Sequence, residues 1–261
     1  MDLLTTLKPL YVLSGLVVGV LVGLTGVGGG SLMTPLLVLV FGVHPTTAVG
    51  TDLLYAAATK TVGTGVHGYK RTVQWSIVGR LALGSVPATA LTLWFLSQHK
   101  QAASANALIT LALGWALAVT AVAVLFRQTI VKFVLARTGD FGARQATLIT
   151  ILLGVVLGVL VSLTSVGAGA LGMTVLLILY PKTETAKLVG SDIAHAVPLT
   201  LIAGLGHWMM GSVDLKMLVS LLTGSITGII VGSLLAARTS DGVLRPILAV
   251  VLALVAFKML T

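Results

Sequence analysis

Apolar residues fill eight long segments of the chain, and short polar stretches separate them. The segments are 10–41, 46–66, 75–96, 105–126, 147–180, 186–206, 215–237 and 243–260. Six of these segments have the length of one helical membrane crossing, which takes about 20 residues. The first and the fifth are longer, so we expect each of them to contain a break. The pattern predicts an all-α polytopic membrane protein.

The two longest segments share a motif in which glycines interrupt an apolar helix. The first reads GLTGVGGGSL over 23–32, and the second reads SLTSVGAGAL over 162–171. Glycine lets the backbone leave helical geometry and lets a ligand approach it closely. Broken helices in corresponding halves of a membrane protein are the best sequence indication of a transport site. The second break has fewer glycines than the first, so strict equivalence of the two half-sites is not implied.

The likeness between the two halves extends beyond this motif. The triplet Gly50-Thr51-Asp52 matches Gly190-Ser191-Asp192, and His67 matches His207. The sequence therefore predicts two internal repeats of four segments each, with the first segment of each repeat broken by glycines.

We place the first transmembrane repeat at 1–126, a basic cytoplasmic linker at 127–145 and the second repeat at 146–261. If each long segment crosses the membrane once, the repeats are parallel and both termini are cytoplasmic. If each is a re-entrant helical hairpin, the repeats are inverted and both termini are external. Loop Lys and Arg residues barely distinguish the two arrangements. We favour inverted repeats, because a pseudo-two-fold axis brings both broken segments to one midplane site.

Composition agrees with this class and excludes several others. The chain is 57% hydrophobic and 9% charged, whereas a soluble domain has about 25% charged residues. The net charge of +9 follows from loop Lys and Arg residues, as the positive-inside rule expects, and indicates no nucleic-acid partner. The absence of cysteine excludes disulfides and thiolate chemistry. We expect a multi-pass protein of a bacterial plasma membrane, surrounded by lipid, with no cofactor and no metal site.

The breaks themselves offer groups that bind anions. A helix that starts after a break presents unpaired N–H groups and the positive end of its dipole, and neighbouring hydroxyls add donors. Close packing of helices through small residues is the alternative explanation for such glycines. The predicted pocket residues at the two breaks are Thr25, Gly28, Gly29, Gly30, Ser31, Thr164, Ser165, Gly167 and Gly169.

Ionisable residues inside the apolar segments add to this picture, because they are expensive in a membrane and usually functional. Lys60 follows Asp52 by eight positions within one segment, and we expect it to supply countercharge to an anion. A snorkelling lysine or a structural ion pair is the alternative. Asp52, Asp192 and His195 are expected to tune the pocket or carry protons, although the aspartates are also suited to capping helices.

Histidines at matching ends of two segments complete the candidate set. His67 and His207 are suited to proton coupling, because histidine changes charge near neutral pH. Hydrogen bonding at the membrane interface is the alternative role. The five histidines are scattered without the spacing of metal ligands.

These residues resemble a known family. The stretch 23–37, the run Ala48-Val-Gly-Thr-Asp52 and the end of the same segment, His67-Gly68-Tyr69, look like the pattern of the TauE/SafE sulfite exporter family. The matching residues of the second half, 190–192 and His207, fit that family's duplicated layout. The resemblance covers nearly the whole chain. It implies secondary transport of small sulfur-containing or organic anions, such as sulfite or sulfonates, coupled to an ion.

We therefore expect a secondary transporter whose partners are a small anion and a coupling ion, either a proton or sodium. A passive anion channel is the first alternative, although no ring of like charges is evident. An intramembrane enzyme that uses Asp52 and Asp192 as a dyad is a less favoured one. The sequence leaves open the particular anion, the direction of transport and the oligomeric state, a homodimer included.

Overall fold

The computed structural model describes residues 8–25, 30–98, 103–138, 141–236 and 241–260. Within these ranges the chain forms eleven α-helices and no strand, which confirms the all-α prediction. The helices are α1 (Pro9–Thr25), α2 (Gly30–Leu39), α3 (Pro45–Tyr69), α4 (Trp75–Gln98), α5 (Ala103–Leu125), α6 (Arg127–Thr138), α7 (Ala143–Thr164), α8 (Leu171–Leu179), α9 (Thr185–Met209), α10 (Leu215–Ala236) and α11 (Asp241–Leu260).

Helix length and hydropathy identify the candidate membrane spans. By these criteria α4, α7 and α9 can each cross a membrane, and the bent pair α5–α6 makes a fourth candidate. The axis turns by 75° between α5 and α6. The described parts of α1, α10 and α11 are apolar but shorter. The described residues thus contain three or four candidate crossings on these criteria.

Polar residues of the candidate spans face inward and large apolar residues face outward. In α4, Ser85 and Thr89 are fully buried, whereas Leu83 and Leu91 are about two-thirds exposed. A soluble helix shows the opposite arrangement, since its polar face meets water. The outer surface of this helix is therefore suited to lipid.

Helices from the two halves of the sequence pack in reciprocal pairs. The closest pairs are α1 with α10 and α4 with α7, and glycines line both contacts. A Cβ atom on Gly19 would lie 2.6 Å from the carbonyl oxygen of Ser225, and one on Gly158 would lie 2.6 Å from that of Ser85. These glycines allow the backbones to approach closely, as small residues do in membrane proteins.

Helices α3 and α9 pack against each other in opposite directions. Gly50, near the start of α3, lies against His207 and Ser212 at the end of α9. Gly190, near the start of α9, lies against His67 and Thr72 at the end of α3. The two triplets that the sequence matched therefore sit at opposite ends of one antiparallel helix pair.

Two hydrogen bonds from a backbone N–H to a side-chain hydroxyl join these ends, and their residues are 140 positions apart. The Thr51 hydroxyl accepts from the N–H of Asp214 at 3.1 Å, and the Ser191 hydroxyl accepts from the N–H of Gln74 at 2.8 Å. Thr51 thus holds the residue before α10, and Ser191 holds the residue before α4. Thr51 and Ser191 therefore bond across to the other half.

Candidate functional site

The second glycine-rich break separates α7 from α8 and contains three residues with positive φ. Ser165 has a φ of 59°, Gly167 of 119° and Gly169 of 102°. Glycine adopts these angles without strain, which explains two of the three residue choices. The Thr164 hydroxyl accepts from the N–H of Val166 at 3.1 Å. This bond fixes the backbone where α7 ends, so the Thr164 hydroxyl stabilises the conformation of the break.

The first break lies between the end of α1 at Thr25 and the start of α2 at Gly30. The second helix thus begins directly after the break, as the anion-binding interpretation of the break requires. Gly28 and Gly29 lie outside the described residues, as do the side chains of Thr25 and Ser31. Their assignment to the pocket stays a prediction.

Asp52 on α3 contacts both broken segments. Its carboxylate is fully buried, and Oδ2 accepts a hydrogen bond from the hydroxyl of Thr34 on α2. The hydroxyl of Ser165, in the other break, also lies close to this carboxylate. Neither Ser165 Oγ nor Asp52 Oδ1 has a partner with full hydrogen-bond geometry among the described residues. Asp52 therefore connects α2 with the second break, and its Oδ1 atom has no partner among the described residues.

Asp192 on α9 sits at the start of α8. It is 3% exposed, and its Oδ1 would lie 2.7 Å from a Cβ atom placed on Gly172. The backbone N–H of Gly169 is also close to this carboxylate. The positive end of the α8 dipole stabilises a negative charge here. Oδ1 of Asp192 has no hydrogen-bond partner in the described part of the chain.

Lys60 on α3 is the charged group that links these carboxylates. It is 8% exposed, which does not match a lysine that reaches out to the interface. Its ammonium interacts electrostatically with Asp192, with Asp52 more weakly, and with His195. The described residues offer it no ion pair within 4.0 Å. The predicted residues Lys60, Asp52, Asp192 and His195 therefore form one buried group, which we call the charge cluster.

His195 is held by a residue that the sequence reading did not select. Its Nε2 lies 2.8 Å from the hydroxyl of Ser85 on α4, and its Nδ1 has no partner among described residues. The equivalent pair in the other half is Tyr55 and Ser225, whose oxygens are 2.6 Å apart. The two pairs are 140 positions apart in both members, a signal that aligning the halves would have found.

Arg127 is a second residue near the cluster that the sequence reading missed as a site residue. The sequence placed it in the linker between the halves. In the structure it starts α6, beside the sharp bend, and its charge reaches Asp192. The charge cluster thus has a cationic neighbour from the linker as well as Lys60.

The two histidines matched by sequence are not part of this cluster. His207 is buried, and its Nε2 donates to the carbonyl of Ser162 at 2.9 Å. The Nδ1 atom of His67 lies 2.8 Å from the hydroxyl of Thr72. Neither histidine interacts electrostatically with Lys60. Both bonds fit the alternative role, hydrogen bonding near helix ends.

A buried charge cluster between broken helices, within an apolar helical protein, is typical of membrane transporters. The chain belongs to the sulfite exporter TauE/SafE family, whose model matches residues 11–259. This result confirms the family resemblance that the sequence motifs indicated.

Two proteins from Bacillus subtilis (strain 168) are similar in sequence to this protein over most of the chain. The probable membrane transporter protein YjnA is 37% identical over 256 residues, which cover 95% of this chain and 98% of the relative. The probable membrane transporter protein YdhB is 27% identical over 235 residues, covering 86% and 88% respectively. No solved structure matches the chain. The protein is therefore a membrane transporter of this family.

Proposed function

We propose that the protein is a secondary transporter that moves a small sulfur-containing or organic anion, coupled to an ion, across a bacterial plasma membrane. The observation that carries this proposal is the burial of Lys60 near two aspartates, one of which contacts α2 and the second glycine-rich break. A buried cation is maintained only with compensating charge. An anion that enters the cluster provides such compensation.

The breaks supply the other groups that an anion needs. The Ser165 hydroxyl is buried without a fully formed hydrogen bond in the described residues, and the backbone N–H of Gly169, just before α8, lies close to the Asp192 carboxylate. These are donors, and they face the same carboxylates as Lys60. The description of the family as sulfite exporters supports a small sulfur oxyanion as the substrate class.

We further infer that the two halves are inverted repeats. The antiparallel packing of α3 and α9 supports this arrangement, because these helices carry the matched triplets. The reciprocal bonds of Thr51 and Ser191 support it as well. Transport then proceeds by movement of one helix group against the other around a central site.

The proposal is tested by anion binding and uptake. The purified protein is heated with methanesulfonate, isethionate, sulfite, thiosulfate and sulfate, and thermal stabilisation that saturates with concentration identifies the anion. Uptake of that anion into proteoliposomes is then measured. We expect Lys60→Met to lose both stabilisation and uptake, because the buried countercharge is removed.

The matched control is Thr200→Val. Thr200 occupies the position of Lys60 in the second half, is buried, and donates only to backbone carbonyls of its own helix. We expect this variant to bind and transport like the parent protein. Uptake by a folded Lys60→Met variant at the parent rate would exclude Lys60 as the anion-binding group.

A further inference from the structure

Lys60 already has anionic neighbours, so a substrate anion has to compete with them. Asp192 is the carboxylate with the larger electrostatic interaction with Lys60, and Asp52 has the smaller one. Oδ2 of Asp52 accepts a hydrogen bond from Thr34, and the Oδ1 atoms of both Asp52 and Asp192 have no hydrogen-bond partner in the described part of the chain. Of the two carboxylates, Asp192 is therefore the direct competitor of a bound anion.

Other charged groups also lie around Asp192. Arg127 approaches from α6, and His195 lies one turn further along α9, where Ser85 of α4 holds it. The cation of α4, Arg80, donates to the hydroxyl of Tyr180 at 3.1 Å. The adjoining break and α8 contribute backbone groups and no titratable side chain. Lys60 and Asp52 are the charged groups of α3 that face the cluster.

We propose that anion binding to Lys60 requires protonation of Asp192, so that the transporter moves its anion together with a proton. This inference rests on the proposed function and identifies its coupling ion. In the empty site, ionised Asp192 compensates the charge of Lys60. A proton from solution adds to the free Oδ1 atom, the carboxyl becomes neutral, and Lys60 is released to pair with the anion. The proton and the negative charge enter together, so the charge of the cluster is unchanged.

Linkage fixes the direction of the pH effect. If the anion-bound site holds a proton that the empty site lacks, lowering the pH strengthens anion binding. Anion affinity then falls by up to about tenfold for each unit of rising pH. Reciprocally, each bound anion takes up close to one proton from the buffer.

The experiment measures this proton uptake in the full-length protein in lipid nanodiscs. Methanesulfonate, isethionate and sulfate serve as probes, because they do not change protonation near neutral pH. Calorimetric titration in two buffers of different ionisation enthalpy gives the number of protons taken up per anion. We expect close to one for the parent protein, with affinity that weakens as pH rises.

Two variants separate the aspartates. Asp192→Asn keeps the shape of a neutral carboxyl, so we expect it to bind the anion without proton uptake and with little dependence on pH. Asp52→Asn removes the other carboxylate of the charge cluster, so we expect it to change anion affinity while Asp192 still takes up the proton when the anion binds. Because the parent protein alone gives the proton count, the test survives if either variant fails to fold.

The possible outcomes distinguish the two claims. Anion binding without proton uptake by the parent protein overturns the coupling inference and leaves the proposed function intact. Binding that requires sodium instead of low pH overturns it in the same way. Failure of every probe to bind at any pH overturns the proposed function, and the inference with it. Loss of proton uptake in Asp52→Asn but not in Asp192→Asn would assign the proton to Asp52. That result also overturns the coupling inference.

Discussion

At the scale of single residues, the hydrogen bond from Thr34 to Asp52 joins a half-helix to the charge cluster. Both residues are fully buried. Loss of a hydroxyl donor to a buried carboxylate costs about 1–3 kcal/mol, because the desolvated oxygen loses its hydrogen bond. We expect Thr34→Ala to lower the thermal stability of the purified protein and to weaken anion-dependent stabilisation.

Thr34→Ser is the matched control, since it keeps the hydroxyl and removes one methyl group. We expect it to retain most of the stability and the anion response. Equal losses in the alanine and serine variants would show that packing of the methyl group, and not the bond to Asp52, determines the effect.

The charged members of the cluster and Ser165 were predictable from sequence, but the hydroxyl partners Thr34 and Ser85 were not. Lys60, Asp52 and Asp192 stand out because charge is expensive within apolar segments. A threonine in a membrane helix gives no such signal, since its hydroxyl can bond its own backbone. Thr92 and Thr200 do so with the carbonyls four residues earlier, whereas Thr34 bonds to another helix. Only the tertiary structure distinguishes these cases.

At the scale of helices, glycines determine how closely α4 and α7 approach. A Cβ atom on Gly84 would overlap the carbonyl oxygen of Ile151 and lie 2.7 Å from the nitrogen of Val155. Backbone atoms cannot move aside as a flexible side chain can. We expect Gly84→Ala to destabilise the protein by about 1–3 kcal/mol or more, because the helices must separate. The measurement is thermal unfolding in detergent.

Gly79→Ala, in the same helix, is the control for this prediction. A Cβ atom on Gly79 meets nothing within 4 Å, so we expect a change of less than about 1 kcal/mol, in the stabilising direction. If both variants unfold at the parent temperature, the close contact of α4 and α7 does not contribute to stability.

The glycine pattern was visible in the sequence, but the partner helix was not, because many helix pairs accept the same spacing of small residues.

At the scale of the whole molecule, the relation between the halves decides on which side of the membrane each turn lies. Tyr69 and Met209 end the equivalent helices α3 and α9, and they are 92% and 86% exposed. Inverted repeats place these residues on opposite sides of the membrane, whereas parallel repeats place them on the same side. The sequence left this choice open, because the distribution of Lys and Arg was nearly equal in the two arrangements.

The chain contains no cysteine, so single cysteines at these two positions report their side without a background signal. In intact cells we expect a membrane-impermeant maleimide to label Met209→Cys and to label Tyr69→Cys only after the cells are opened. The expected order follows from external termini in the inverted arrangement, with the turn after α3 on the cytoplasmic side.

The opposite order of labelling would keep the repeats inverted and reverse the orientation of the protein in the membrane. Labelling of both cysteines from one side would contradict inverted repeats. Since the start of each helix packs on the end of the other, that result would also require α3 and α9 to adopt an arrangement in the membrane different from their antiparallel pairing.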